Sequence, residues 1–361
     1  MNKDLTRWGF TTHYEEALTR YESSGLKPGR IIKDTRHQYL ITFGETTLHG
    51  EISGAFRYKA VHASDYPVIG DWVMCRVADD FCIIEEILPR KSSFSRKEAG
   101  ERTEEQVIAA NIDIIGLVFG LNGGRNFTAG GLERYLILAW DSGAQPVIIL
   151  NKADLATEEE RSQAILTAEA SAPGVDIYLV SATTEEGLSS FDFKEGKTIA
   201  FVGPSGVGKS TLINTLAGEA LQKTNAQREG DLKGRHTTTS KDLFLLPSGV
   251  MLIDSPGLKE LQLWAGEDSA AETFSEITEL AESCRFTDCS HQGEPGCAVQ
   301  AALATGELDH RRYENYLDVM KELDYLKIRQ DEQASKLIRD KGKNLSKMIK
   351  EVKQINQRYG K

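Results

Sequence analysis

The stretch Thr198-Ile199-Ala200-Phe201-Val202-Gly203-Pro204-Ser205-Gly206-Val207-Gly208-Lys209-Ser210-Thr211 decides the fold of this chain of 361 residues. A largely apolar run ends at Gly203, and a run compatible with a helix begins after Lys209. Between them stands G-x-x-x-x-G-K-S, the phosphate-binding loop, in the required order of strand, loop and helix. Its glycines let several backbone N–H groups point at one phosphate, and the helix N-terminus adds partial positive charge. The pattern predicts that every residue from Gly203 to Thr211 contacts a nucleotide, but it does not separate ATP from GTP.

Apolar strand-like runs alternate with helix-like runs from Asn111 onward. The strand-like runs cover residues 112–119, 147–150, 176–180, 198–202, 243–246 and 250–253, and helix-like runs cover 132–138 and 158–170. Such alternation predicts an α/β domain with a largely parallel sheet covered on both faces. Ligand residues are then expected at the carboxyl ends of the strands.

Two short motifs at predicted strand ends indicate guanine rather than adenine. Asn151-Lys152-Ala153-Asp154 follows the strand at 147–150, and Ser181-Ala182 follows the strand at 176–180. The Asp154 carboxylate can accept hydrogen bonds from guanine N1–H and N2–H₂, a pair that adenine does not offer. The stem of Lys152 is expected along the base, and the Ala182 N–H is expected near guanine O6. N-K-x-D alone is a weak signal, but beside a phosphate loop it predicts GTP binding and disfavours an ATPase.

A third motif, Asp254-Ser255-Pro256-Gly257, follows the strand at 250–253 and completes the expected magnesium and γ-phosphate contacts. Asp254 is expected to hold Mg²⁺ through water, Gly257 to offer its N–H to the γ-phosphate, and Ser210 to bind Mg²⁺ directly. Lys209 is expected to reach the β- and γ-phosphates. Thr238, or its neighbours Thr237 and Thr239, is expected to contact both Mg²⁺ and the γ-phosphate.

The residue after D-x-x-G cannot orient the attacking water in this chain. Ras-like enzymes carry glutamine after D-x-x-G, where this chain has Leu258, which can neither donate nor accept. His236 beside the threonines is our candidate, so the predicted catalytic residues are His236, Lys209 and Thr238. The alternatives for His236 are an exposed loop residue or an RNA contact. Gly206 stands where potassium-activated GTPases carry asparagine, which puts potassium dependence in doubt.

The motifs occur in an unusual order. Ordinary GTPases run from the phosphate loop through D-x-x-G to N-K-x-D, whereas here N-K-x-D and S-A precede the phosphate loop. The same sheet can form if the chain is cut after D-x-x-G and the old ends are joined, a circular permutation. The segment at Gly257 then leads directly into the C-terminal domain, so a switch ordered by GTP can reposition that domain.

The predicted permuted GTPase domain covers residues 111–258, and other units flank it. Residues 1–28 are interpreted as a leader without an assigned role. Short strand-like runs punctuated by glycines predict an OB-fold β-barrel over 29–92, and a basic linker, with a phosphate-contacting strap as the alternative, over 93–110. The barrel aromatics fill its interior in one interpretation, and in the other they stack on RNA bases beside Arg57 and Lys59; they are Phe43, Phe56, Tyr58 and Trp72.

A cysteine and histidine cluster marks the last predicted domain, residues 259–361. The spacing Cys284-x₄-Cys289-x-His291-x₅-Cys297 predicts a closed Cys₃His zinc site with a structural role, one zinc ion per chain. A core histidine is the alternative for His291. Cys75 and Cys82 are interpreted as core residues. The tail from Lys336 to Lys361 is basic, which favours RNA contact over a merely solvated face.

These motifs together look like the RsgA (YjeQ/YloQ) family of bacterial GTPases of small ribosomal subunit assembly. The resemblance rests on the permuted order, the phosphate loop, Gly234-Arg235-His236-Thr237-Thr238-Thr239, Asp254-Ser255-Pro256-Gly257 and the zinc pattern. It extends through Pro67-Val68-Ile69-Gly70-Asp71-Trp72-Val73 and Leu88-Pro89-Arg90-Lys91 and covers residues 29–330. It implies an OB-fold, a permuted GTPase core and a zinc domain, acting on the small subunit and its rRNA, which stimulates GTP hydrolysis.

Composition bounds the remaining choices. A net charge of −11 argues against a protein that coats nucleic acid with its whole surface, although local basic patches remain compatible with it. No run is apolar enough to span a bilayer, and the start lacks the apolar core of a signal peptide, so a cytoplasmic location is expected. The protein is also expected to be a monomer. A GTP-gated RNA-binding module and a GTP/GDP protein-interaction switch are the alternatives to a ribosome-stimulated GTPase.

Overall fold

The computed structural model describes residues 3–35, 38–97, 105–122, 127–218, 241–254 and 266–328. The predictions for His236, Thr237, Thr238, Thr239, Gly257, Leu258 and the basic tail from Lys336 lie outside these ranges. In the described part of the chain, no helix is both long and apolar enough to cross a membrane.

The strands and helices follow the predicted alternation. The strands are β1 Lys27–Thr35, β2 Gln38–Thr42, β3 Thr47–Ile52, β4 Trp72–Val77, β5 Phe81–Ile87, β6 Ser93–Lys97, β7 Glu105–Ala110, β8 Ile114–Gly120, β9 Gln145–Asn151, β10 Ile177–Leu179, β11 Thr198–Val202, β12 Lys241–Leu245 and β13 Met251–Asp254. The helices are α1 Lys3–Thr6, α2 Thr12–Leu18, α3 Gly54–Lys59, α4 Ala129–Asp141, α5 Glu158–Ser171, α6 Lys209–Ala217, α7 Glu267–Thr273, α8 Ser275–Glu282, α9 Ala298–Thr305 and α10, residues 310–328.

Strands β1 to β5 form a closed barrel. Their order is β1-β2-β3-β5-β4, and β4 pairs back with β1, so the sheet closes on itself. Strands β3 and β5 are parallel while the other pairs are antiparallel, and α3 lies between β3 and β4 in the chain. Ile31, Ile41 and Ile84 are buried together with Cys75 and Cys82, which are core residues as predicted. The predicted OB-fold barrel is confirmed.

An ion pair with a buried carboxylate joins two stretches of the barrel unit that are separate in sequence. Arg90 donates from Nε and Nη2 to the two carboxylate oxygens of Asp71, each at 2.8 Å. Its Nη1 and Nη2 also donate to the carbonyls of Ser64 and Tyr66, at 3.0 and 2.9 Å. The Asp71 side chain is fully buried, so this bidentate geometry compensates the loss of its hydration. The stretches around Asp71 and Arg90 therefore meet in one structural unit.

The second part of the sheet has the strand order β10-β9-β8-β11-β13-β12. The pairs β10–β9, β9–β8, β8–β11 and β11–β13 are parallel, and only the pair β13–β12 is antiparallel within this part of the described sheet. Most side chains of β8, β9 and β11 are buried, as expected for strands covered on both faces. The largely parallel α/β sheet is confirmed.

The barrel and the parallel sheet are joined edge to edge. Strand β1 pairs antiparallel with β12, with Lys33 opposite Asp242 and Asp34 opposite Lys241. Both pairs carry opposite charges, and the N–O distances are 3.6 Å for Lys33–Asp242 and 3.5 Å for Lys241–Asp34. Two cross-strand ion pairs therefore support the joint, and the described strands of both units form a single sheet of eleven strands.

The first helices pack into the core beside the barrel. Leu5, Phe10 and Tyr14 are buried in a cluster that includes Trp72 and Met74 of β4. The rings of Phe10 and Trp72 lie edge to face with centroids 4.8 Å apart. The segment interpreted from sequence as a leader thus contributes apolar packing to the folded unit.

Tyr14 supplies a polar link from this segment to the start of the GTPase domain. Its hydroxyl donates to Asn111 Oδ1 at 2.8 Å, and burial raises the pKa of the Tyr14 hydroxyl, which keeps the proton in place. Tyr14→Phe is expected to lower the opening free energy of α2 by about 1 kcal/mol, the typical net worth of one hydrogen bond. Hydrogen exchange of the α2 amides measures this quantity. The control is Tyr58→Phe, because Tyr58 is 91% exposed; equal protection in the wild type and Tyr14→Phe contradicts the role of Tyr14.

Residues predicted to form a linker contain a second, two-stranded antiparallel sheet, β6 and β7. The side chains of Val107 and Ala110 on β7 are buried against Val68. The Ser93 N–H donates to the Ser142 carbonyl just beyond α4 at 2.9 Å. This part of 93–110 is therefore packed between the barrel and the parallel sheet.

The C-terminal helices dock on α4 through a buried ionic cluster. Glu133 is fully buried and accepts from Arg312 Nη1 at 3.0 Å, from Arg311 Nη2 at 3.2 Å and from Asn315 Nδ2. Arg312 also donates to the carbonyl of Thr273 on α7 at 2.8 Å. A buried carboxylate that loses its partner typically costs about 3–5 kcal/mol, so this cluster holds α10 and α7 against the GTPase domain.

Candidate functional site

The ends of three parallel strands bring the sequence motifs to one edge of the sheet. Asn151 ends β9 and pairs with Gly120 at the end of β8, and β11 runs parallel to β8 and ends at Val202. β13 is parallel to β11 and ends at Asp254, which is half-buried. The N-K-x-D turn, the phosphate loop and the first residue of D-x-x-G therefore leave the sheet on the same side.

The phosphate loop requires glycine at two positions. Gly203 has φ +148°, and a Cβ there would lie 2.1 Å from the Val118 carbonyl oxygen. Gly208 has φ +98°, and a Cβ there would lie 2.4 Å from Asn151 Nδ2. Both approaches are too close for any side chain, so the loop packs against the ends of β8 and β9 through its bare backbone.

The start of α6 presents the residues expected to contact phosphate and Mg²⁺. Lys209 is the first helical residue, and its Nζ lies 2.6 Å from the carbonyl oxygens of Gly203 and Pro204. The ammonium group therefore lies over the loop. Ser210 and Thr211 follow in the first helical turn with exposed side chains.

Asn151 connects the base-reading turns to the phosphate loop. Its side chain is buried; Nδ2 donates to the Val207 carbonyl at 2.9 Å, and Oδ1 accepts from the Ala182 N–H at 3.0 Å. Lys152 has φ +65°, and its Nζ donates to the Gly206 carbonyl at 2.7 Å. Two neighbouring residues of N-K-x-D thus contact the loop that the sequence places more than fifty positions away.

The remaining predicted base readers surround this junction. Asp154 is exposed in the short turn after Lys152, so its carboxylate is open to a ligand. Ser181 is buried, and its hydroxyl accepts from the Thr184 N–H at 3.2 Å, which closes the turn after β10. The Ala182 N–H already donates to Asn151. A guanine O6 at this turn would therefore share that N–H with Asn151 or accept from the next backbone N–H of the turn.

One contact at the junction has no sequence motif. Thr215, in the interior of α6, places its Oγ1 2.9 Å from the Ala182 carbonyl oxygen. Its spacing from Lys209 matches no known signature, and a threonine inside a helix gives no signal of a partner in another loop. Sequence reasoning missed this residue for that reason.

The four predicted zinc ligands meet in one cluster, and their ligand atoms all lie within 4.8 Å of one another. His291 Nδ1 is 3.6 Å from the sulfurs of Cys284 and Cys297, and these two sulfurs are 3.8 Å apart. Sulfurs bound tetrahedrally at about 2.3 Å from zinc lie about 3.8 Å apart, which agrees with this spacing. Cys284, Cys289, His291 and Cys297 can therefore hold a metal ion.

Backbone groups and one tyrosine hydroxyl surround the cluster. The backbone N–H groups of Ala298 and Gln300, in the first turn of α9, approach the sulfurs of Cys284 and Cys297, each at 3.4 Å. His291 has φ +61°, and its carbonyl accepts from the Tyr313 hydroxyl at 2.6 Å. Burial opposes ionisation of the Cys284 thiol, but backbone N–H donors outweigh it and lower the pKa of this thiol, which favours the thiolate that zinc binds.

The fold and site define a class of protein. A phosphate loop and an N-K-x-D turn that meet at one edge of a sheet, with N-K-x-D earlier in the chain, are the features of a circularly permuted GTP-binding protein. A family model described as RsgA GTPase matches residues 87–264. An ABC transporter model also matches, over residues 188–347, a range that contains the same phosphate loop but not N-K-x-D.

Whole-chain relatives decide between the two models. The chain is 39% identical over 322 residues to "Small ribosomal subunit biogenesis GTPase RsgA 1" of Oceanobacillus iheyensis, covering 88% of this chain and 91% of the relative. It is 41% identical over 359 residues to "Small ribosomal subunit biogenesis GTPase RsgA 2" of Lactiplantibacillus plantarum, covering 97% and 99%. The chain belongs to the RsgA GTPase family, and it is a GTPase.

Solved structures agree with this assignment. The crystal structure of YjeQ from Thermotoga maritima superposes with a TM-score of 0.62 at 26% identity, covering 82% of this chain and 98% of that one. The structure of YloQ, described as a circularly permuted GTPase, gives a TM-score of 0.60 at 28% identity, covering 84% and 97%. The family resemblance predicted from the motifs is confirmed.

Proposed function

We propose that this GTPase binds the small ribosomal subunit and its rRNA and hydrolyses GTP during late assembly of that subunit. The names of its relatives support the assignment to small-subunit biogenesis. The observation that best supports binding of a guanine nucleotide is the position of the Asn151 side chain, which joins the base-reading turn to the phosphate loop. A base-recognition turn and a phosphate cradle held together by one buried amide are suited to a single guanine nucleotide.

This geometry supports the following nucleotide contacts. Asp154 pairs with the guanine N1–H and N2–H₂, and the turn at Ser181 and Ala182 supplies a donor for O6. Lys152 crosses the phosphate loop so that its stem lies beside the base. The backbone of the loop binds the phosphates, and Lys209 moves its ammonium from the loop carbonyls to the β- and γ-phosphate oxygens.

Magnesium accompanies GTP in this proposal and neutralises charge that develops on the phosphates. Ser210 at the start of α6 and Asp254 at the end of β13 are placed at the same sheet edge, which supports them as its protein ligands. Thr238 is proposed as the third. Gly257 is proposed to donate its N–H to the γ-phosphate, and His236 is proposed to orient the attacking water.

Two surfaces are proposed to contact rRNA. On the barrel, Tyr58 is 91% exposed, between the exposed Arg57 and Lys59 of α3, whereas Trp72 is fully buried. An exposed ring between two cations offers base stacking together with phosphate contacts, so Tyr58 is the proposed stacking residue and Trp72 is not. The basic tail is the second proposed surface.

Zinc is the proposed metal of the Cys₃His cluster, with one ion per chain and a structural role. Three thiolates and one imidazole are a donor set that zinc prefers, and four protein ligands leave no open position for catalysis. The ion would fix the loop before α9 and so support the docking of the C-terminal helices on α4.

We further propose that the protein acts as a monomer in the cytoplasm. Sedimentation of the purified chain tests its oligomeric state.

GTP turnover with and without purified small subunits tests the proposed function. The wild type is expected to be strongly stimulated, and His236→Ala is expected to lose about 10²-fold of the stimulated rate while keeping GTP affinity. The matched control is His310→Ala, because His310 is exposed on α10 away from the motifs. If small subunits do not raise the turnover of the wild type, the ribosomal function is contradicted, and an RNA-binding module or a protein-interaction switch is favoured. If His236→Ala keeps the full stimulated turnover, only the role of His236 is contradicted and the rest of the proposed function stands.

A further inference from the structure

The backbone of Ala182 is held from two sides by the part of the fold that carries the phosphate loop. Its N–H donates to Asn151 Oδ1 at 3.0 Å, and Asn151 donates to the Val207 carbonyl of the loop. Its carbonyl lies 2.9 Å from Thr215 Oγ1, on the helix that begins at Lys209. The turn after β10 is therefore linked to the phosphate half of the site twice, directly through Thr215 and indirectly through Asn151.

The hydroxyl of Thr215 has two acceptors within reach. The second acceptor is the carbonyl of Thr211, one helical turn earlier, at 3.0 Å. A hydroxyl carries a single proton, and the Thr211 carbonyl is already the regular acceptor for the backbone N–H one turn later. The bond to Ala182 is the one that crosses between two parts of the fold, over 33 positions of sequence.

We propose that Thr215 is a positioning residue for guanine recognition, which orders the base-reading turn without touching the nucleotide. The proposal rests on the proposed function, in which a backbone N–H of this turn meets guanine O6. The Ala182 carbonyl and the following N–H belong to one planar peptide group, so the Thr215 bond fixes the direction of that N–H. Asn151 fixes the preceding N–H in the same way.

A turn that is ordered before the ligand arrives binds more tightly, because no ordering cost is added at the binding step. Losing the Thr215 hydroxyl removes the hydrogen bond to the Ala182 carbonyl and leaves the Ala182 backbone tied to the phosphate loop only through Asn151. The dissociation rate of GDP therefore rises and its affinity falls, while the phosphate contacts made by the loop stay the same. If Thr215 has this role, removing its hydroxyl lowers nucleotide affinity by an amount that depends on the atom at position 6 of the base.

The experiment compares GDP binding to the wild type, Thr215→Val and Thr215→Ser. Valine keeps the shape and removes the hydroxyl, so GDP affinity is expected to fall about fivefold, the size of one neutral hydrogen bond. Serine keeps the hydroxyl and is expected to restore wild-type affinity. Thr215→Ala is a second hydroxyl-free variant with higher helix propensity, so its equal loss excludes a failure of α6 to form.

The diagnostic probe is 6-thio-GDP, which keeps both donors that face Asp154 but replaces O6 by sulfur, a weak acceptor. Thr215→Val is expected to change its affinity less than twofold. An equal loss for GDP and 6-thio-GDP indicates a merely structural role and overturns the proposal, as does unchanged GDP affinity. A wild type that does not prefer GDP to ADP overturns the proposed nucleotide function itself, so the two failures are distinguishable.

Discussion

Asp154→Asn is expected to weaken GTP binding about 10³-fold and to create a preference for XTP. A charged hydrogen bond is worth about 1.5–3 kcal/mol, and the carboxylate is proposed to accept two from guanine, so both are lost or weakened together. The asparagine amide instead offers a donor to the xanthine O2 and an acceptor to its N1–H. The carboxylate of Asp154 is exposed beside Lys152, which lies over the phosphate loop, so the substitution leaves the packing intact.

Calorimetric titration of GTP, XTP and ATP into both proteins measures this exchange of specificity. Asp192→Asn is the matched control, because its carboxylate is also exposed and its ion pair with Lys194 lies on the surface. The control is expected to bind GTP like the wild type. Unchanged GTP affinity in Asp154→Asn would show that this carboxylate does not read the base.

The double variant Cys284→Ser, Cys297→Ser is expected to lose its zinc and to unfold the segment around α9. Structural zinc contributes about 10–16 kcal/mol apparent to small domains, more than the packing of a few short helices supplies. Both sulfurs also accept backbone N–H groups from the first turn of α9, so the start of that helix loses its anchor. Metal analysis and hydrogen exchange over residues 284–305 measure the two effects.

The control for metal content is Cys75→Ala, which removes a buried barrel cysteine far from the cluster in sequence. It is expected to retain one zinc per chain. Bound zinc in the double variant at the wild-type stoichiometry, with α9 still protected, would contradict the assigned ligands. The barrel strands β4 and β5 are expected to keep their protection in the double variant, because they are held by pairing with each other and with β1 and β3.

Motifs at strand ends made the site predictable from sequence. Parallel strands place their carboxyl ends at one edge of the sheet, so the sequence alone predicts that Asn151, the phosphate loop and Asp254 lie close together. The cysteine and histidine spacing likewise predicted the cluster that the structure brings together. The role of His236 stays a prediction, since it lies outside the described residues.

Contacts between distant parts of the chain were not predictable in the same way. Arg30 is buried, with its guanidinium 2.8 Å from Thr198 Oγ1 and bonded to the carbonyls of Trp8 and Asn111. An arginine is normally read as a surface residue, and no local pattern marks one that joins three segments. Thr215 escaped prediction for the same physical reason: its partner is set by the tertiary fold and not by periodicity or spacing.

The joint between β1 and β12 occupies an edge of the parallel sheet at which an outside strand could otherwise add. Many sheet proteins recruit partners by β-augmentation, in which an extended peptide adds a strand to a free sheet edge. Here the barrel's own strand lies against Lys241 and Asp242, at the end of β12 that directly follows residues 219–240. An incoming peptide must displace an intramolecular competitor at that position. The pairing with β1 therefore protects this edge of the parallel sheet from strand addition, and it links β12 directly to the barrel through two ion pairs.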